Sequence, residues 1–379
     1  MRIGLSTSVI GRGKTGIGQY VFALTRALLA RGEPPPLILF VLQEDLPLFE
    51  FAKSRAELVV VPEKFRSAAN DILWHQTRLP RLARKFKLDV LHVPSYRRML
   101  WRRPCPVVAT IHDLAPFRVA GKYDWKRMFY GRVVARRLAQ RQDAIVAISE
   151  NTSRDIRQFF GVPNDKITVI HNGIEHDRFS PGSAFDAKAE IATRFELEKP
   201  FFLYVARFEH PGKNHVRLIE AFTRFKKQTR SEWQLALAGS DWSGAEAIHA
   251  AIKQSPFTSD IRVLGFVANA DLPTLYRAAD AFVFPSLYEG FGMPPIEAMA
   301  CGCPVISSAR GSLGEVVGEA ASLINPEDVD DIAGKLATMA GSIDLRQTWR
   351  KAGLAQAKKF DWKKTAAETL AVCERAATR

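Results

Sequence analysis

Glu289 and Glu297 stand eight residues apart in FPSLYEGFGMPPIEAMACGCPVISS (Phe284–Ser308), with a glycine-rich turn and a helix start between them. A strand-like run ends at Pro285, and Pro295 suits the first turn of a helix. The backbone N–H groups of Phe291, Gly292 and Met293 are expected to converge on an anion, helped by the positive end of that helix. Glycine at 290 and 292 lets a ligand approach the backbone closely. Carboxylates beside an anion site make sense if they take the uncharged hydroxyls flanking a phosphate, as in a sugar and a ribose. One acid on each side of a diphosphate fits a nucleotide-sugar. Counter-charge is offered by YVARFEHPGKNH, where Arg207 ends a strand and Lys213 enters a helix. Arginine can fork two phosphate oxygens, and lysine supplies a point charge. Cations so placed can stand in for Mg²⁺ on a leaving diphosphate. With no Asp-x-Asp and no acid/histidine cluster at metal spacing, neither a metal nor another cofactor is expected.

Three further candidates lie in the first half. GRGKTGIGQY (Gly11–Tyr20) follows a strand and precedes a helix. Gly11, Gly13 and Gly16 spell the dinucleotide fingerprint, with Glu44 and Asp45 where a ribose-binding acid would lie; Gly16 and Gly18 form a second pair. A P-loop reading fails because Ser8 occupies the place of its first glycine. ATIHDLAPF puts His112 and Asp113 at a strand end, where histidine donates to a sugar hydroxyl or acts as a base. In an inverting reaction either residue is the base candidate. The third feature is charge: between Arg78 and Arg141, 17 Lys/Arg accompany three acids (Asp89, Asp113, Asp124). SYRRMLWRR (Ser95–Arg103) interleaves aromatics with arginines, and Trp125, Met128, Phe129 and Val133 follow at helical spacing. This surface fits an anionic membrane leaflet presenting a lipid-linked acceptor, or a solvated face with its aromatics packed inward. Nucleic acid is not expected, since no binding motif accompanies the charge.

Positioning these residues requires an α/β scaffold. Strand-like runs recur at PLILFVL, LDVLHVP, PVVATIH, DAIVAIS and KITVIHN, then at PFFLYVA, WQLALAG, IRVLGFV, DAFVFPS, CPVISS and ASLINP. Helical patterns between them predict parallel sheets covered on both faces. The aperiodic stretch from His171 to about Leu197 predicts the inter-domain connection, in a chain of 379 residues that is long for one core. Expected boundaries are 1–175 for an acceptor-side domain, 176–360 for a nucleotide-sugar domain, and 361–379 for a helix crossing back to the first. Ligands of such sheets sit at the strands' carboxyl ends. No apolar run reaches the roughly 20 residues of a membrane span. Four cysteines make no disulfide framework, so a cytoplasmic protein is expected, peripheral at the inner membrane face if the basic surface binds lipid. Cys301 and Cys303, without a nearby histidine, read as small buried residues.

The E-x7-E pair in its EGFGMPPIEAMACGCPVI context resembles the family 4 retaining glycosyltransferases of the GT-B fold. So do Arg207 with Lys213, the HNGIE segment and the early Gly-x-Gly-x-Tyr loop, in the same order along nearly the whole chain. GIGQY, HDL and SENTSRDI look most like bacterial mannosyl- and rhamnosyltransferases of surface polysaccharide assembly. The resemblance implies two Rossmann-like domains facing across a cleft, and transfer of a hexosyl unit from a nucleoside diphosphate sugar, GDP-mannose first, to a hydroxyl of a glycan or lipid-linked acceptor. It implies that Glu289 binds donor-sugar hydroxyls, Glu297 the donor ribose, and Arg207 and Lys213 the diphosphate. Backbone near Phe266 and Val267 would meet the base. Gly16 and Gly18 would form a flexible turn toward the donor phosphates, with Tyr20 on the acceptor side and His112 beside the sugar. Retention implies that the departing phosphate oxygen takes the acceptor proton. Thr15 departs from the family pattern where glycine is common, and Gly314 where proline is. A nucleotide-sugar 2-epimerase and an NAD-dependent oxidoreductase are the alternatives.

Overall fold

The computed structural model describes residues 1–118 and 128–378. Trp125, and with it part of the expected basic helix, lies outside them. The chain divides into two compact units, Met1–Gly173 with Asp361–Arg379, and Ile174–Phe360.

The first unit holds seven strands: β1 (Ile3–Ser6), β2 (Leu37–Leu42), β3 (Glu57–Val61), β4 (Val90–Val93), β5 (Val107–Ile111), β6 (Ala144–Ala147) and β7 (Ile167–Val169). They pair in parallel in the order β3-β2-β1-β4-β5-β6-β7. Strands β1, β2, β4 and β5 are wholly buried, as expected where helices cover both faces of a parallel sheet. The edge strand β3, ELVVV, has no counterpart among the strand-like runs of the sequence reading; only its last residue is buried, so it carries a weak apolar signal. Trp362–Ala377 completes this unit. Asp361 caps it, Thr365 Oγ1 donates to His171 O at 2.8 Å, and Trp362, Ala366 and Cys373 join Tyr20, Val21 and Leu24 in one apolar cluster.

The second unit holds β8 (Phe201–Val205), β9 (Gln234–Ala238), β10 (Ile261–Gly265), β11 (Ala281–Phe284), β12 (Val305–Ser308) and β13 (Ser322–Ile324), all parallel in the order β10-β9-β8-β11-β12-β13. The aperiodic reading of 171–197 is corrected in part: Ser183 caps a helix over Ala184–Phe195, which buries Ala187 and Ile191. In both sheets the winding reverses once, between β1 and β4 and between β8 and β11. Such a reversal separates neighbouring loops at the carboxyl edge and opens a crevice there.

Candidate active site

In the second unit the reversal brings together residues far apart in sequence. Arg207 and Lys213 follow β8, and Glu289 follows β11, the adjacent strand. Lys213 Nζ lies 2.6 Å from Glu289 Oε1, both side chains being largely buried. The loops are tied through their backbones as well, Leu287 N donating to Gly212 O at 3.0 Å. Asn214, held at φ 62°, donates from Nδ2 to Pro285 O (3.0 Å) and Pro326 O (2.6 Å). The buried Tyr204 hydroxyl reaches Lys213 O at 2.5 Å. Lys213 is thus fixed from behind, and its ammonium is what remains to move.

Arg207 is not joined to this pair. Its guanidinium donates to Glu209 Oε2 at 3.0 Å and lies 4.8 Å from the centre of the Trp242 ring. The helix near Pro295 begins at Met293 and runs to Ala300, with Gly292 before it at φ 101°. That φ favours glycine, and a Cβ at 292 would in addition have to displace Leu313 Cδ2, 2.5 Å away. Ser312 braces the turn, its single O–H within reach of Phe291 O (2.8 Å) and Glu289 O (3.0 Å). Glu297, on the same helix, accepts from the Tyr276 hydroxyl at 3.0 Å. Burial pushes the Glu297 carboxyl up to about 7, against the Tyr276 bond and the Arg178 charge that pull it down. At the end of β10, Phe266 is 72% exposed while Val267 is buried. Cys301 and Cys303 are buried free thiols, Cys301 pushed up to about 12 by burial. Among the described residues no His/Cys/Asp/Glu group could hold a metal ion, and no helix is long and apolar enough to cross a membrane.

The first unit corrects several expectations. Gly11 (φ 57°) and Gly13 (φ 77°) make the turn after β1, whereas Gly16 and Gly18 begin the helix Gly16–Leu29. Thr15, the departure from the family pattern, is the cap of that helix: its Oγ1 accepts from Gly18 N at 3.0 Å. A Cβ on Gly18 would meet Ile10 O at 2.6 Å, so Gly18 is a close-packing residue here, not a flexible turn. Tyr20 is 3% exposed, its hydroxyl on Thr110 Oγ1 (3.2 Å) and its ring edge-on to His112 (4.7 Å) and Trp362 (5.8 Å). It supports His112 from the core and cannot itself face an acceptor. Of the two acids offered for a ribose, Asp45 is buried and paired with Arg66 at 3.1 Å, whereas Glu44 is exposed and paired with Arg12 at 2.7 Å.

His112 is held by a bond to the Pro94 backbone, and burial pushes it down to about 4. Its Nε2 is buried without a partner, so the bond to the Pro94 carbonyl belongs to Nδ1–H and Nε2 keeps a lone pair. Behind it, His92 Nε2 meets Thr110 Oγ1 at 2.7 Å. Asp113 is engaged locally, Oδ1 accepting from Ala115 N at 3.0 Å where the short helix Ala115–Arg118 begins. Sequence reasoning missed Tyr276, Asn214, Ser312, Glu209 and Thr110. Only Asn214, between a lysine and a helical pattern, carried a local signal.

Two family models match the chain, Glycosyltransferase Family 4 over residues 14–178 and Glycosyl transferases group 1 over residues 187–356. The O-antigen chain mannosyltransferase B of Escherichia coli is 29% identical over 98% of each chain. The serotype-specific mannosyltransferase WbdA of the same organism is 29% identical over 69% of this chain and 32% of its own. Among solved structures, Anabaena HepE in complex with UDP and glucose superposes with a TM-score of 0.77 at 20% identity, over 98% of this chain and 99% of that one. Matched along both halves and sharing their fold, this chain belongs to the family 4 glycosyltransferases of the GT-B class.

Proposed function

We propose that this glycosyltransferase moves a mannosyl unit from GDP-mannose to a hydroxyl of a growing, lipid-linked surface glycan, with retention of configuration. The observation that carries the proposal is the Lys213–Glu289 pair: a cation and an acid lie 2.6 Å apart at the strand reversal, an arrangement that suits the junction between a diphosphate and a sugar. Glu289 takes sugar hydroxyls, Glu297 the ribose diol, and the backbone at Phe266 and Val267 the base. Lys213, Arg207 and the backbone at Gly290–Met293 hold the diphosphate. Charge that develops on the leaving oxygens is countered by cations already in place, with no metal ion needed, and such preorganised electrostatics is commonly the largest catalytic term. Gly16 and Gly18, at the start of their helix, stay candidates for a donor phosphate.

In the first unit His112 is the proposed acceptor of a hydrogen bond from a substrate hydroxyl, because its neutral Nε2 has a lone pair and no proton to give. An imidazole pushed down to about 4 is a weak general base near neutral pH, and Asp113 is already engaged by the Ala115 N–H. Both facts favour same-face departure over inversion, the leaving phosphate oxygen taking the acceptor proton. Mannosyltransferase relatives support the sugar, and the O-antigen chain in the name of one of them supports the acceptor class.

A thermal-shift panel of GDP-, UDP-, ADP- and dTDP-sugars, with and without Mg²⁺ or EDTA, tests the donor. GDP-mannose should give the largest shift, unchanged by EDTA. NMR of the product's anomeric centre tests retention. A larger shift with another base, or a β-linked product, would refute the corresponding part.

A further inference from the structure

Tyr276 lies on Leu272–Ala278, the helix between β10 and β11, and is completely buried. Its ring packs on Phe282 (centroids 5.4 Å apart) and Phe179 (6.2 Å), so it has little freedom to turn. A buried tyrosine hydroxyl needs a partner, and this one donates to Glu297 Oε2 at 3.0 Å. The other carboxylate oxygen, Oε1, takes no hydrogen bond among the described residues. Four groups face this acid: Tyr276, Arg178 and Glu175 from neighbouring segments, and Cys301, which caps the C-terminal end of the Glu297 helix. The Arg178 charge is shared, since its guanidinium bonds Glu175 at 2.7 Å. Burial therefore dominates, and Tyr276 is the one uncharged donor opposing protonation of Glu297.

We propose that Tyr276 is the positioning residue for nucleoside recognition, pinning one oxygen of Glu297 so that the other, as carboxylate, accepts from the ribose diol. The inference rests on the assignment of Glu297 to the donor ribose. Its consequence is that ribose binding releases a proton from Glu297. Donor affinity is then full above about pH 7 and falls as pH drops through that value, by up to about tenfold per unit. Removing the tyrosine hydroxyl raises the carboxyl further and moves the fall to higher pH.

The test is calorimetric titration of the full chain with GDP and with 2′,3′-dideoxy-GDP between pH 6 and 9, UDP and its dideoxy analogue being run in parallel. The analogue carries the same diphosphate and lacks the diol, so it isolates titration of the phosphate itself. Wild type should lose GDP affinity below pH 7 more steeply than analogue affinity. Tyr276→Phe keeps the ring, and should bind GDP about three- to tenfold more weakly at pH 7, with a midpoint moved upward and analogue affinity within about twofold of wild type. Glu297→Gln should abolish the difference in pH dependence between the two ligands, a check that holds even if Tyr276→Phe folds poorly. An unshifted midpoint in Tyr276→Phe, or equal losses for GDP and the analogue, overturns the role of Tyr276 and leaves the glycosyl-transfer reading intact. Failure of wild type to bind either nucleoside diphosphate at pH 9 overturns both.

Discussion

Removing either member of the Lys213–Glu289 pair should have different consequences for stability and for ligand choice. The side chains are 18% and 16% exposed, so neither charge is fully desolvated. Breaking a wholly buried pair costs about 3–5 kcal/mol because one charge is stranded, and the residual exposure reduces this to about 2 kcal/mol here. For a unit of this size that is a fall of roughly 4–8 °C in melting temperature. Lys213→Ala strands a carboxylate and should show the full loss. The double variant Lys213→Ala/Glu289→Ala strands nothing, and should recover about 1–2 kcal/mol relative to the sum of the singles. Binding separates the roles. Lys213→Ala should weaken GDP about 10- to 100-fold, the loss of one charge-assisted contact. Glu289→Ala should hold GDP within about threefold while losing discrimination among GDP-sugars. The assays are thermal melts and calorimetric titration of all four proteins. Additive melting losses, or equal weakening of GDP by the two single variants, would refute the assignment of cation to diphosphate and acid to sugar.

Other consequences follow from named contacts. Gly311 sits at φ 64° with the backbone O of Glu289 2.7 Å from where a Cβ would be, so Gly311→Ala should displace the Glu289 turn and cost about 1–3 kcal/mol in a melt, with sugar discrimination lost before GDP binding. Asn214→Ala orphans two carbonyls and should cost about 2 kcal/mol, read by urea denaturation. His92, His112 and His215 are buried neutral and depressed to about 3, 4 and 3. A depressed histidine contributes stability that is present above its unfolded value near 6.5 and is lost as pH falls toward the folded value; melts should decline below pH 6.5, by about 1–2 kcal/mol per histidine at pH 5. On the basic side of the first unit, Trp101 is 48% exposed with Arg141 4.7 Å over its ring, and Phe129 is 59% exposed. If this surface meets a bilayer, the protein should co-sediment with anionic but not neutral vesicles at low salt; equal partition would refute that contact.

Sequence by itself determined the α/β class, twelve of the thirteen strand positions, and the loops that bear chemistry, because hydrophobic period and glycine or proline punctuation are local signals. Glu289, Glu297, Arg207, Lys213 and His112 were all legible as residue types in the segments that lead from a strand into the next helix. Which of them touch was not. Lys213 and Glu289 meet across 76 residues because β11 lies beside β8, a non-consecutive neighbour that no local pattern encodes. The same holds for Tyr276 on Glu297 and for Tyr20, whose burial follows from packing against Trp362 at the far end of the chain. Even Thr15, conspicuous as a departure, acquired a role only when the helix it caps was seen to begin at Gly16. Tertiary structure decided the pairings, and with them which polar groups are neutral, ionised or already engaged. Burial and partner choice are properties of the folded sheet order, which the chain's local preferences permit but do not select.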